Sequence, residues 1–163
     1  MSASFESFGL APSILRAIQT RGYQTPTPIQ AEVIPLVLKG KDVLGCAQTG
    51  TGKTAAFALP AIEQLIESTA TGNHKLKVLV LSPTRELAIQ INECFDAYSK
   101  HCNVRQTVIH GGVGANPQIQ RLRKGMDVVV ATPGRLLDLH QQEHLDLSSV
   151  ELLIIDEADL MLD

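Results

Sequence analysis

Ala47-Gln48-Thr49-Gly50-Thr51-Gly52-Lys53-Thr54 decides how the rest of the chain is read. Gly50 and Gly52 let the backbone turn tightly enough for successive N–H groups, with Thr49 and Thr51 among them, to face one anionic group. A helix opening near Lys53 adds its dipole to that nest. Lys53 can then reach the β- and γ-phosphates of a nucleotide, and the Thr54 hydroxyl can ligate Mg²⁺. Position 47 is Ala where the general phosphate-loop pattern G-x-x-x-x-G-K-[ST] has Gly, a small departure from the bare pattern.

The second half of that chemistry stands about a hundred residues later. Leu152-Leu153-Ile154-Ile155 is an apolar strand, and it runs directly into Asp156-Glu157-Ala158-Asp159. A carboxylate at the carboxyl end of a strand is where an open α/β sheet places its ligands. Asp156 can hold Mg²⁺ directly or through water, and Glu157 can orient or deprotonate an attacking water.

Between and around these motifs, Val43–Cys46, Lys77–Ser82, Val104–Ile109, Asp127–Ala131 and Leu152–Ile155 read as strands. Several are continuously apolar, which suits parallel strands covered on both faces. Helical patterns over Thr54–Ser68, Arg85–Ser99, Pro117–Lys124 and Gly134–Gln141 alternate with them, so the fold class is α/β: a three-layer sandwich around a mostly parallel sheet. Residues 1–40 break the rhythm with two helices, Ala11–Thr20 and Pro28–Leu38, on either side of the Pro-punctuated loop 22–30. They are assigned to the same domain as the core at 41–163. Ser68–His74 reads as a flexible connection, since its small polar residues have no apolar face to bury.

Composition narrows the field further. A chain of 163 residues with 44% apolar side chains can bury an ordinary core. No apolar run approaches a membrane span and the first residues lack a signal-peptide pattern, so a cytoplasmic location is expected. Cys46, Cys94 and Cys102 show no C-x-x-C spacing and are expected to be plain thiols. The formal charge of −3 supplies no global field for a polyanion, so any nucleic-acid contact must be local.

Two loops could make such a contact. Pro83-Thr84-Arg85 follows one strand and Thr132-Pro133-Gly134-Arg135 follows another, each with a hydroxyl, an Arg and helix N-terminal amides able to donate to phosphate oxygens. The same residues could also serve only to cap and open their helices.

Taken together the motifs resemble those of the DEAD-box RNA helicases, over essentially the whole chain from Phe5 to Asp163. Asp156-Glu157-Ala158-Asp159 resembles motif II, and Ala47 to Thr54 resembles motif I, whose first position is often Ala. Gly22-Tyr23 with Pro26-Thr27-Pro28-Ile29-Gln30 resembles the Q motif. The resemblance implies a RecA-like domain in which Tyr23 stacks on adenine, Gln30 hydrogen-bonds its edge and Phe5 fixes the motif from upstream. An aromatic face and an amide that both donates and accepts are suited to reading adenine. It further implies that Pro83, Thr84, Arg85, the Gly111-Gly112 doublet and Thr132, Pro133, Gly134 and Arg135 contact the sugar-phosphate backbone of one RNA strand. Such contacts would be independent of base sequence. Asp159 would be a structural and coupling residue.

By the same likeness, ATP and Mg²⁺ are the cofactors and RNA the partner. A Ser-Ala-Thr strand and a second RecA-like domain with arginine fingers would follow the present chain, leaving the first domain incomplete at its C-terminus. The unfilled place in the sheet is expected to favour self-association or low stability. Alone, the chain is expected to hydrolyse ATP negligibly. The competing expectations are an inactive RNA- or partner-binding module that keeps the fold, and another class of phosphate-loop ATPase.

Overall fold

The computed structural model describes residues 3–46 and 52–161. Among the described residues four parallel strands form one sheet: β1 (Val78–Leu81), β2 (Gln106–Ile109), β3 (Val128–Ala131) and β4 (Leu152–Ile155), in the order β2-β3-β1-β4. The helices are α1 (Pro12–Thr20), α2 (Pro28–Leu38), α3 (Lys53–Ala70), α4 (Arg85–Tyr98), α5 (Asn116–Arg123) and α6 (Pro133–Gln141). Among the described residues no helix is long and apolar enough to cross a membrane. The chain divides into two compact units, Met1–Glu67 with Cys94–Asn103 and Ser68–Glu93 with Val104–Asp163.

In the second unit, the continuous apolar runs become central strands for a simple reason. Val128, Val129, Val130 and Ala131 are all fully buried, so neither face of β3 meets water, and Val78, Leu79 and Val80 of β1 are buried beside it while Leu81 is partly buried. Each such side chain stabilises the fold by roughly 1.5–3 kcal/mol relative to exposure. Leu79, Ile109, Val129 and Ala131 pack with Ile119 of α5 and Leu136 and Leu139 of α6. β2 and β4 are the edges. Along β4, Leu153 and Ile155 remain 52% and 48% exposed.

Register positions the functional loops. Leu81 pairs with Ala131 and with Ile155, and Ala131 pairs with Ile109, so all four strands end at one level. Ser82, His110, Thr132 and Asp156 therefore leave the sheet along the same carboxyl edge.

The first unit is built from helices. α2 opens with a capping box: the Thr27 side chain accepts from Gln30 N, while Gln30 Oε1 accepts from Thr27 N at 3.0 Å. The Ala11 amide donates to Glu63 Oε2 at 2.9 Å, joining the start of α1 to α3. Gln64 Nε2 donates to Val37 O at 2.9 Å, joining α3 to the end of α2.

Two expectations need correction. Val43–Cys46 is not a strand: it joins no ladder, and Leu44 is 94% exposed. Strand propensity over four residues is realised only beside a partner that supplies backbone donors and acceptors, and no strand among the described residues pairs with this segment. Ser68–His74 is not a bare connection either. α3 continues through Ala70, Thr69 is buried, and the His74 side chain is 6% exposed with Nδ1 2.8 Å from Asp127 Oδ2. Asp127 Oδ2 also accepts from Arg105 N at 2.8 Å, so a buried carboxylate holds the entrances to β1 and β2 together.

Candidate nucleotide and nucleic-acid site

The candidate nucleotide-binding residues Tyr23, Gln30 and Gly52–Thr54 lie in the first unit. Gly52 has φ +80°, the left-handed region that a side chain disfavours, and a Cβ there would collide with the Gln30 amide. α3 begins at the next residue, so Lys53 and Thr54 occupy its first turn, where backbone N–H groups lack partners within the helix. Thr49, Gly50 and Thr51 lie outside the described residues, as do Ala47 and Gln48.

Gln30 is 3% exposed, and its Nε2 donates to Gly52 O at 3.1 Å. Its amide therefore holds the residue before α3 as well as capping α2. One Nε2 hydrogen and one lone pair of Oε1 are left for a ligand.

Tyr23 is half-buried, with its ring centroid 6.4 Å from that of Phe5 and the ring planes 23° apart. Phe5 is itself 2% exposed and meets Phe8 edge-on. The Tyr23 hydroxyl lies 3.0 Å from that of Tyr98, the last residue of α4. Burial first, then this hydrogen bond, push the Tyr98 phenol well above its ordinary pKa. The hydrogen bond to Tyr23 likewise raises the already basic Arg21 guanidinium, which lies 5.7 Å from the Tyr98 ring centroid. Tyr23 is thus gripped at its hydroxyl and braced by Phe5. Sequence reasoning missed Tyr98, because its partner is 75 positions away in the chain.

The carboxylate motif lies in the second unit. Asp156 is 7% exposed at the end of β4, and its amide donates to Leu81 O at 3.0 Å. Glu157 follows with φ +50°, a left-handed backbone that a non-glycine residue adopts at a cost. That turn takes the chain out of the strand at once and into the short 3-10 helix Ala158–Met161, which contains Asp159. The Thr54 hydroxyl and the Asp156 carboxylate are each a hard oxygen donor of the kind Mg²⁺ takes, so each by its own chemistry fits that ion. Among the described residues no group of three or more His, Cys, Asp or Glu gathers into a protein-only metal cage. Mg²⁺ on a nucleotide needs no such cage, since phosphate and water complete its shell.

The same edge carries the two candidate backbone-binding loops. Thr84 Oγ1 accepts from Leu87 N at 3.2 Å and so caps α4. Arg85 is about half exposed and reaches Glu86 Oε1 only at 3.4 Å. Thr132 precedes Pro133 at the start of α6, and its side chain makes no cap hydrogen bond. Arg135 donates from Nη1 to Gln118 Oε1 at 3.1 Å and from Nη2 to Val113 O at 2.9 Å. Gly112 has φ +80°, and a Cβ on it would stand 2.7 Å from Arg85 Nη1. Pro83, Gly111 and Gly134 complete this edge.

The opposite edge, at the amino ends of the strands, holds a cleft of about 380 Å³ lined by His74, His144, Asp146 and Ser148 among others. Hydrogen bonds from the Ser148 side chain and then its backbone hold Asp146 below the usual carboxylate range. This cleft is remote in register from Asp156 and shares no residue with the motifs.

Comparison with known proteins agrees with this geometry. Residues 27–163 match the family model of the DEAD/DEAH box helicases. The chain is 47% identical over 158 residues to the ATP-dependent RNA helicase dbp10 of Schizosaccharomyces pombe, covering 97% of this chain and 18% of that protein. It is 46% identical over 159 residues to the DEAD-box ATP-dependent RNA helicase CshA of Bacillus cereus, covering 98% of this chain and 30% of that protein. Among solved structures, that of a DEAD box protein from the hyperthermophile Methanococcus jannaschii superposes with a TM-score of 0.89 at 41% identity, over 98% of this chain and 42% of that one. The chain thus spans less than a third of the length of these two curated relatives. On the family match and the shared fold, the chain belongs to the DEAD/DEAH box helicase family.

Proposed function

We propose that this chain forms the first, ATP-binding part of an ATP-dependent RNA helicase, acting on single-stranded or short duplex RNA without regard to sequence. The observation that carries the reading is the left-handed Glu157 directly after the buried Asp156 at the end of β4. A left-handed non-glycine residue directly after a buried carboxylate at a strand end supports a functional role for that pair.

In this reading Tyr23 and Gln30 take the adenine, with Phe5 bracing the stack. Thr49, Gly50, Thr51, Gly52, Lys53 and Thr54 cradle the phosphates. Mg²⁺, held by Thr54 and Asp156, would supply charge neutralisation at the transferring phosphoryl group. Glu157 positions the attacking water and draws a proton from it. Pro83, Thr84, Arg85, Gly111, Gly112, Thr132, Pro133, Gly134 and Arg135 form the strip along which one RNA strand runs.

A second helicase domain supplies the arginine that stabilises the transition state, and closure of the two domains couples hydrolysis to local strand separation. Residues 1–40 belong with 41–163 to one functional domain, and the protein works in the cytoplasm. Self-association through the exposed β4 edge is a side reaction of the isolated chain.

The test compares RNA-stimulated ATP hydrolysis by this chain alone and by the same chain joined to a second helicase domain, each with Glu157→Gln. Activity is expected only in the joined form, and Glu157→Gln should lower its kcat by about a hundredfold or more while ATP binding persists. Absence of RNA-stimulated hydrolysis in the joined form would sink the enzymatic reading and leave a binding module.

A further inference from the structure

Gly111 and Gly112 sit between two carbonyls that are both held from behind. Gln118 Nε2 donates to His110 O at 3.1 Å, and Arg135 Nη2 donates to Val113 O at 2.9 Å. The two gripping side chains are also bonded to each other, Arg135 Nη1 to Gln118 Oε1 at 3.1 Å. One amide and one guanidinium therefore hold the residue before the doublet, the residue after it, and one another.

Gln118 is an unusual residue to find there. It is 2% exposed, whereas Gln120, Arg121 and Arg123 of the same helix are exposed. An amide is costly to bury unless both ends are paired, and here the carbonyl end takes Arg135 and the amino end takes His110 O. A fully paired buried amide resists replacement by an apolar side chain because its partners would be left unsatisfied. The loop it holds needs such support. Two successive glycines have more backbone freedom to lose than any other pair, and Gly112 is fixed at φ +80° with Arg85 against its Cα side.

We propose that Gln118 and Arg135 are a positioning pair that presets the Gly111-Gly112 turn for the backbone of one RNA strand. This rests on the RNA-binding reading above. Arg135 then acts chiefly through the protein, since both terminal nitrogens are committed to Gln118 and Val113. Arg85, lying across Gly112, is the cation presented to the phosphates. Gln118 touches no RNA. Its contribution is to lower the ordering cost that the loop would otherwise meet on binding.

The 163-residue chain itself can be tested by titrating a fluorescein-labelled oligouridylate with wild type, Gln118→Leu, Gln118→Glu, Arg135→Met and the double variant Gln118→Leu/Arg135→Met. Binding of a fluorescent ATP analogue and amide exchange at 110–114 are followed in the same preparations. Gln118→Leu should weaken RNA binding about tenfold with ATP-analogue affinity within about twofold, and should accelerate exchange over 111–114. Gln118→Glu keeps the acceptor for Arg135 but not the donor for His110 O, and should fall between wild type and Gln118→Leu. If Gln118→Leu does not fold, that variant carries the test. The double variant should be no weaker than the worse single one, because the pair acts as a unit.

Undiminished RNA affinity in Gln118→Leu, or in Gln118→Glu where that variant carries the test, overturns the proposal while leaving the RNA reading intact. So do additive losses, or parallel losses of RNA and nucleotide affinity. Wild type that binds the ATP analogue but no RNA overturns the RNA reading, and the proposal with it.

Discussion

The two loops that follow β1 and β3 have nearly the same residues and divide their work in opposite ways. In Pro83-Thr84-Arg85 the hydroxyl is committed to capping α4, and the guanidinium is half exposed with one long contact to Glu86. In Thr132-Pro133-Gly134-Arg135 the guanidinium is committed to Gln118 and Val113, and the hydroxyl makes no cap. Pro at the first helical position does not decide this, since Thr27 before Pro28 caps α2 through the amide of Gln30. Like residues on one sheet edge thus present a cation from the first loop and a hydroxyl from the second.

The sharpest way to break this contrast is to remove each hydroxyl in turn. Thr132→Val should weaken oligouridylate binding by about tenfold, the worth of a hydrogen bond to a charged oxygen, while shifting the melting temperature by less than about 2 °C. Thr84→Val should do the reverse. Loss of the cap costs about 1 kcal/mol, or roughly 2–4 °C in a chain of this size, with a smaller fall in RNA affinity. Calorimetry and anisotropy on the same samples separate the two effects. Equal losses of affinity without a stability change in Thr84→Val would erase the distinction.

The cations sharpen the contrast more gently. Arg85→Gln should reduce the dependence of log affinity on log salt by about 0.7, the amount for one phosphate on a single strand. Arg135→Gln should weaken binding with little change in that slope, because it loosens a loop and removes no phosphate contact. A full unit of slope lost with Arg135 and none with Arg85 would invert the assignment.

Much of this was legible in the amino-acid sequence, and the exceptions share a physical cause. β1, β3 and β4 announced themselves as continuous apolar runs. Lys53 and Asp156 fell at a helix start and a strand end as their motifs require. Val43–Cys46 misled because its composition suits a strand while strand formation depends on a neighbour. Gln118 was invisible for the opposite reason. Set among Gln120, Arg121 and Arg123 it looks like part of a solvated face, and only its partners at His110 and Arg135 explain its burial. His74 hid in a polar run until Asp127, 53 positions away, buried it. Local patterns predict elements; long-range polar pairing does not show in them.

The smallest expected effect concerns Glu86, the acid beside the exposed cation. Its carboxylate accepts from its own backbone N–H at the start of α4 and, secondarily, feels Arg85, so its pKa lies below the ordinary carboxylate value. A depressed acid contributes its favourable interaction above the ordinary carboxylate range and loses it as pH falls through the lowered value. The negative charge therefore persists at pH 7 and still at pH 5, where it competes with phosphate for Arg85. Glu86→Gln should strengthen oligouridylate binding by less than about twofold at low salt, and the gain should fade as ionic strength shortens the Debye length. The advantage over wild type should be the same at pH 7 and pH 5 and vanish only below the normal carboxylate range, where wild type is itself protonated. An advantage that disappeared already near pH 6 would mean that the acid restraining Arg85 is not Glu86, and the first loop's cation would have to be assigned another partner.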